Sequence, residues 1–451
     1  MEFSVAQVQE ATGAQPLNNE SAKDTLVRGW SIDSRTVKEG DLFFAINGEH
    51  FDGHAFVEKA FERGAVAAIV SEPVRNTGDP ILQVADTLVA LEALASSARR
   101  RWQKPLVAVT GSAGKTSTKD IVAELLGLRF RVGRTVGNLN NHIGLPLSLL
   151  RIPDDSEAAV LEMGMNHAGE IRHLATIARP NIGVVTNVGY AHVEAFDSVE
   201  GIAAAKRELI ETLPYDGIAV LNADDERVIR FRTAHQGRTI TYGVSPGADI
   251  RAEGLRMSAK GASFCVCGVS FETRLTGRHS VLNVLAGLAV ASCFDIHLRD
   301  LAGKVADLAP AKMRGAQHEW NGAIVLDDSY NSNPEAARSM IDVLKQLEAG
   351  RRIAVLGEML ELGHMEEVLH RELGRYAATA GVDLLVGVRG ASRLMVEEAK
   401  RAGLDSGTAL FFEDAESAGS FLREFVRSGD AILFKGSRAT HVERALATME
   451  S

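Results

Sequence analysis

One stretch, Leu106-Val-Ala-Val-Thr-Gly-Ser-Ala-Gly-Lys-Thr-Ser117, limits the possible folds more than any other part of the chain. Its first five residues form a short apolar or β-branched run, which reads as a strand buried on both faces. A glycine turn follows at Gly111–Gly114, and a helix is expected from about Lys115 to Leu128. A buried strand that turns sharply into a helix belongs to a parallel sheet covered by helices, and ligands gather beyond the carboxyl ends of such strands. Glycines let the backbone wrap a phosphate, while the helix start offers unpaired N–H groups to the anion. Gly111, Ser112, Ala113, Gly114, Lys115, Thr116 and Ser117 are therefore the expected ATP-binding loop. Lys115 would neutralise the terminal phosphates, and the Thr116 hydroxyl would ligate Mg²⁺. The loop is the short G-x-x-G-K-T form. A generic Walker A loop has a further glycine five positions before Gly114, where this chain has Val109. The plain alternative is a glycine-rich turn beside a surface lysine.

The same rhythm extends to both sides. Before the loop, strands are expected at Trp30–Asp33, Asp41–Ile46, Ala67–Val70 and Ile81–Val84, and a helix at Thr87–Arg101 whose basic last turn suits a helix C-terminus. After it, apolar runs recur at Ala158–Leu161, Ile182–Thr186 and Ile218–Leu221. A stretch of small antiparallel strands is expected from about Ile240 to Thr276, then a helix over Val281–Cys293. A third α/β series runs through Ala323–Leu326, Ile353–Leu356, Leu384–Val388, Leu410–Phe412 and Ala431–Phe434. At 451 residues the chain exceeds one ordinary core. The expectation is an α/β protein of three domains: a small α/β domain at 1–103, a parallel-sheet phosphate-loop domain at 104–312 and a Rossmann-like α/β domain at 313–451.

Charge and composition exclude some classes. A formal net charge of −10 argues against a nucleic-acid surface, since phosphate backbones select basic proteins. The N-terminal residues lack a basic segment followed by an apolar core, and no apolar run approaches the roughly 18 residues of a spanning helix. A cytoplasmic protein is expected. Cys265, Cys267 and Cys293 have no second Cys or His pair at ligand spacing and are expected to be reduced core thiols.

A magnesium nucleotide site also needs ligands at neighbouring strand ends. Glu162 ends the run Ala-Ala-Val-Leu; Asn187 and His192 follow Ile-Gly-Val-Val-Thr. His192 is as readily an ordinary histidine satisfied by hydrogen bonds as a partner of Glu162 on a cation. Lys206 lies in a helical segment, Val199–Leu213. At about 100° per residue it falls about 40° from Ile202, within the apolar sector of Leu209 and Leu213. Either its stem packs while its head reaches water, or its amine is desolvated, neutral and available for chemistry. Asp327-Asp-Ser-Tyr-Asn-Ser-Asn-Pro334 and Phe434-Lys-Gly-Ser-Arg438 each follow a strand of the third block. Each is a binding loop or ordinary turn chemistry.

Together these segments resemble the Mur ligase superfamily, the ATP-dependent ligases of peptidoglycan peptide synthesis. The likeness rests on Asp33-Ser-Arg35, Gly40–Gly48 and Phe51-Asp-Gly-His54 in the first block. In the second it rests on Gly111–Ser117, Gly137–Pro146, Leu161–Gly164, Thr186–His192, Ala203–Lys206 and Gly277–Asn283. Asp327–Pro334, Gly357-Glu-Met-Leu-Glu-Leu-Gly363 and Lys435–Arg438 carry it in the third. Those C-terminal segments look like the branch that joins D-alanyl-D-alanine to UDP-N-acetylmuramoyl-tripeptide through an acyl phosphate.

The resemblance implies two Mg²⁺ sites and catalytic roles for Lys115, His192 and Lys206. Thr116 would ligate one cation. Glu162 and His192 would hold the other, joined by Lys206 as a CO₂-derived carbamate. Asn283, Arg314 and Asp328 would contact ATP. Ser34, Arg35, Asn47, Asn138, Asn140 and Asn141 would face the UDP-sugar of a 1–103 UDP-sugar-binding domain, and a monomer is implied. His142 stands where the family pattern has an acidic residue. A sister ligase adding a single amino acid, or a folylpolyglutamate synthase, shares the core. A phosphate-loop kinase or nucleotide switch would have no use for Lys206 or the UDP-sugar residues.

Overall fold

Short apolar runs alternating with helices build three α/β units in a computed structural model that describes residues 1–18, 20–48, 51–74 and 78–451. In the first unit, Gly29–Ser31, Asp41–Phe44, Ala67–Val70 and Ile81–Gln83 form a parallel sheet, edged by the antiparallel pair Gln15–Pro16. Helix Thr87–Arg101 leaves this unit. It starts where Asp86 accepts hydrogen bonds from the Leu88 and Val89 N–H groups, satisfying orphan donors of the first turn.

Near that helix's end, buried Arg99 reaches into the central unit. It donates to Ala178 O at 2.7 Å, Arg179 O at 3.1 Å and Asn181 Oδ1 at 3.2 Å. Leu94 and Ala95 of the helix belong to the same apolar cluster as Leu147 and Leu149 of the central unit. The two units thus share packing as well as a linker.

The central sheet has seven strands, all parallel. Their order is Ile250–Arg251, Arg238–Gly243, Ile218–Asn222, Ile182–Val185, Leu106–Thr110, Ala158–Glu162, Val132–Arg134. Leu106–Val109 are fully buried, as a strand covered on both faces requires. The chain runs outward from Leu106–Thr110 to Val132–Arg134, returns through Ala158–Glu162, then crosses to Ile182–Val185 on the other flank. Leu106–Thr110 is therefore the switch point, where a crevice opens at the strand ends.

Several expectations need correction. The phosphate-loop helix spans Lys115–Leu126, stopping at Gly127 rather than Leu128. The stretch from Ile240 is not wholly antiparallel: Arg238–Gly243 and Ile250–Arg251 extend the parallel sheet. Only Glu253–Ser258, Gly261–Val266 and Val269–Thr273 make an antiparallel one. Cys267 is exposed at the turn of this small sheet and Cys265 and Cys293 are half-buried, so the thiols are free but not core residues.

The third unit has six strands: Ala316–Trp320, Ala323–Asp327, Asp430–Lys435, Arg351–Gly357, Leu384–Val388 and Ala409–Phe412. All are parallel except the first, which forms a hairpin with the second. Asn333 caps helix Pro334–Gln346, accepting from the Ala336 N–H at 2.8 Å, with Pro334 where a missing N–H costs nothing. No helix among the described residues is long and apolar enough to cross a membrane.

Candidate active site

The strand ends of the central sheet and the loops of the third unit enclose a cavity of about 770 Å³. Ser112–Ser117, Glu162, His192 and Asn283 line it from one side. Arg314, Asp328, Tyr330, Glu335, Glu361 and Lys435 line it from the other.

The loop's shape follows from its glycines. Gly111 has φ 151° and Gly114 φ 78°, and a Cβ on them would lie 1.8 Å from Thr186 Oγ1 and 2.7 Å from Asn283 Oδ1. No side chain fits there. Asn187, noted in the sequence only for following a strand, holds the loop: its Oδ1 accepts from the Ala113 N–H at 2.8 Å and its Nδ2 donates to Ala113 O at 3.0 Å. Ser112 Oγ accepts from the Gly189 N–H at 2.8 Å. Lys115 Nζ donates to Gly111 O at 2.8 Å, so its charge lies folded over the loop. Burial lowers its pKa, and the nearby Glu162 carboxylate partly offsets that.

At the head of the helix, Thr116 Oγ1 donates to Glu162 Oε2 at 2.7 Å, and Asn140 Nδ2 donates to the other oxygen, Oε1, at 2.7 Å. Glu162 is buried. A hydroxyl and a carboxylate beside a phosphate loop are the hard oxygen donors that Mg²⁺ selects, so these residues fit that ion. Asn140 is committed to Glu162, and Asn141 Oδ1 accepts from the Gly144 N–H at 2.8 Å at the start of helix Gly144–Leu150. Both line the cavity with Asn138 and exposed His142.

Lys206 sits on helix Val199–Glu211, capped by Ser198, and is only 1% exposed. Its head does not reach bulk water. Burial, and then the positive charge of Lys115, push its pKa well below the ordinary lysine value. A neutral amine is the form that captures CO₂, and a carbamate would reverse the charge at this position; Lys206 itself is not among the residues that line the cavity.

His192 lines the cavity, and its Nδ1 pairs with Glu361 Oε2 of the third unit at 2.6 Å. Among the described residues, no cluster of three or more His, Cys, Asp or Glu is arranged to hold a metal ion.

The third unit brings a second layer of charge. Asp328 Oδ2 accepts from Lys435 Nζ at 2.5 Å, and Lys435 also donates to Asn331 O at 2.9 Å. The Lys435 charge is thus paired at the wall. Arg314 stacks over Tyr330, its Cζ 4.0 Å from the ring centroid, with Arg438 at 5.9 Å from the same ring. Asn283 accepts from Thr118 Oγ1 at 3.1 Å and backs onto Gly114. Further direct bonds join the units here, among them Tyr190 N–H to Glu335 Oε1 at 3.1 Å and Asn333 Nδ2 to Ser112 O at 3.4 Å.

Ser34, Arg35 and Asn47 lie in the first unit and do not line this cavity. Arg35 makes a bidentate pair with Asp33, 2.7 Å at its shortest; Ser34 is buried beside it and Asn47 is exposed. Glu335, Glu361 and the Tyr330 stack were not singled out from sequence. Glu361 lies within Gly357–Gly363, where only its position across the fold from His192 reveals a role.

Three family models match: "Mur ligase family, catalytic domain" over residues 26–102, "Mur ligase middle domain" over 109–291 and "Mur ligase, glutamate ligase domain" over 313–438. UDP-N-acetylmuramoyl-tripeptide–D-alanyl-D-alanine ligase of Bacillus subtilis is 35% identical over 433 residues, covering 95% of this chain and 94% of its own. Its Escherichia coli counterpart is 33% identical over 446 residues, covering 96% of each. A crystal structure of MurF from Acinetobacter baumannii superposes with a TM-score of 0.91 at 30% identity, covering 100% and 99% of the two chains. MurF from Thermotoga maritima in complex with ADP gives 0.83 at 32% identity, covering 94% and 97%.

Proposed function

Because the chain belongs to the Mur ligase family, we propose that the cavity between its central and third units is where ATP activates a peptide carboxylate for amide-bond formation. It is an ATP-dependent ligase that joins D-alanyl-D-alanine to UDP-N-acetylmuramoyl-tripeptide in peptidoglycan synthesis. The observation that carries the reading of the cavity is the Thr116–Glu162 pair at the head of the phosphate-loop helix, faced by Arg314 and Asp328 from the other unit.

In this reading, residues 1–103 bind the UDP-sugar through Ser34, Arg35 and Asn47. Residues 104–312 bind ATP, and residues 313–451 close over it. The loop N–H groups and Lys115 hold the phosphates, while Asn283, Arg314 and Asp328 position the nucleoside and polyphosphate. Thr116 would hold one Mg²⁺, and Glu162 and His192, joined by a Lys206 carbamate, would hold a second; the ions would supply charge neutralisation when bound. A carboxylate is a poor electrophile, so the peptide's terminal carboxylate takes the γ-phosphoryl group and becomes an acyl phosphate, with ADP leaving. The dipeptide amine then attacks that carbonyl, and phosphate departs. The two approaching anions repel, and Lys115 lowers that barrier by lying between them. Closure of the third unit excludes water, which would otherwise hydrolyse the acyl phosphate.

In the same reading the enzyme acts as a monomer in the cytoplasm, where its nucleotide substrates are supplied. ADP release is the test, using UDP-tripeptides ending in lysine or in diaminopimelate, with and without D-alanyl-D-alanine. Turnover should require both substrates. Equal turnover with a single amino acid, and none with the dipeptide, would transfer the chain to a sister ligase.

A further inference from the structure

Two non-glycine residues with left-handed backbones meet across the boundary between the central and third units. His192 has φ 66° and Glu361 φ 64°, a conformation that L residues with large side chains adopt only when the surroundings impose it. The imposing contacts are visible. The Glu194 N–H donates to Glu361 O at 3.1 Å, and the Ala195 N–H donates to His192 O at 3.1 Å. Gly363, itself at φ 48°, is packed so closely that a Cβ on it would lie 3.0 Å from Glu194 Cα. Both turns are pinned, and the pinning places Glu361 Oε2 at 2.6 Å from His192 Nδ1.

An imidazole that donates its Nδ1 proton to a carboxylate keeps its Nε2 lone pair free. Histidines that ligate metals are oriented this way, by a carboxylate or carbonyl on the ring nitrogen that faces away from the ion. Here the orienting carboxylate comes from a different unit than the histidine. We infer that Glu361 is a positioning residue for His192, so that seating the third unit on the central one and binding a divalent cation at His192 favour one another. This rests on the reading of His192 as a cation ligand given above. Linkage makes the effect reciprocal: a cation at His192 must hold the units together by the same factor that their closure strengthens its binding.

The inference is tested on the full-length protein with a non-hydrolysable ATP analogue, titrated with Mn²⁺ and followed by electron paramagnetic resonance. Glu361→Ala should weaken the cation equivalent that depends on His192 by roughly 10- to 100-fold. Glu361→Gln, which keeps an acceptor but loses the charge, should fall between it and the parent. In a His192→Ala background, Glu361→Ala should cause no further loss. Small-angle scattering should show that saturating Mn²⁺ compacts the parent more than Glu361→Ala, a readout that loss of local stability alone would not tie to the cation. If His192→Ala weakens Mn²⁺ binding while both Glu361 variants bind as the parent does, the positioning role is overturned. If His192→Ala itself leaves Mn²⁺ binding intact, the fault lies in the reading of His192 as a ligand, and the inference falls with it.

Discussion

Thr116 and Glu162 stand 2.7 Å apart, one opening the phosphate-loop helix and the other closing the strand beside it. Their oxygens meet because Ala158–Glu162 pairs with Leu106–Thr110 in a register that sets Glu162 opposite Val109. Thr116→Ala should therefore impair Mg-ATP-dependent turnover while leaving UDP-sugar binding near normal. Losing one ligand-grade interaction of about 2–3 kcal/mol corresponds to roughly 30- to 150-fold in kcat/KM. Steady-state ADP release and calorimetric titration with the UDP-tripeptide check both halves.

Arg35 lies outside the nucleotide cavity, and its loss should show the opposite pattern. Arg35→Ala should weaken binding of the UDP-tripeptide roughly tenfold or more, as expected for a charged contact, with ATP affinity unchanged. Calorimetry with each ligand separates the outcomes. If the Thr116 and Arg35 variants exchanged phenotypes, the assigned domain roles would be wrong.

Lys206→Ala should fold yet lose most activity, because a buried amine is replaced by a methyl group and the carbamate cannot form. Added short carboxylates such as acetate should restore part of the rate by filling the vacated space. Full activity of the parent protein in CO₂-depleted buffer, with an unmodified mass for the peptide containing Lys206, would refute the modification.

Glu335 gives a pH signature. Its carboxyl is held above the usual carboxylate range, chiefly by burial, with Asp225 adding to the rise and Arg338 opposing it. The native state thus binds a proton that the unfolded chain has released, and stability should fall as pH rises from about 4.5 through the raised value. Glu335→Gln removes that loss while keeping an acceptor for the Tyr190 N–H. Its thermal midpoint should exceed the parent's at pH 7 to 8, and the gap should shrink toward pH 4. A constant gap across that range would contradict the account.

Arg99 is a stability element. Arg99→Met keeps much of the apolar stem but leaves the Ala178 and Arg179 carbonyls without their charged donor, at an expected cost of about 3 kcal/mol. Denaturant unfolding measures it, and catalytic constants of the folded fraction should be unchanged.

The phosphate loop, its strand and its helix were legible because their signals are local: a buried run, two glycines and a cap-free helix start. The long parallel strands were legible for the same reason. Val132–Arg134 was not, being three residues with a glycine at its centre, nor was Ala316–Trp320, whose polar outward residues hide an edge strand. Arg238–Gly243 was misjudged because its neighbour along the chain suggests a hairpin, whereas its partner in space is Ile218–Asn222. At the site, the residues that belong to the loop could be read from the chain. Glu335 and Glu361 could not, since their meaning depends on which turn of another unit they face.

The Lys115 amine is bonded to Gly111 O of its own loop. A long lysine side chain ordinarily gives up as much as about 1.5–2 kcal/mol of rotamer entropy when it is immobilised. In this loop that loss occurs on folding rather than on binding, so an arriving triphosphate exchanges one acceptor for another instead of ordering a free chain. Nucleotide association should accordingly carry a small entropic penalty at Lys115. The lysine would then bring its charge to the γ-phosphate by a short swing of its terminal carbons, with the backbone of the loop left in place.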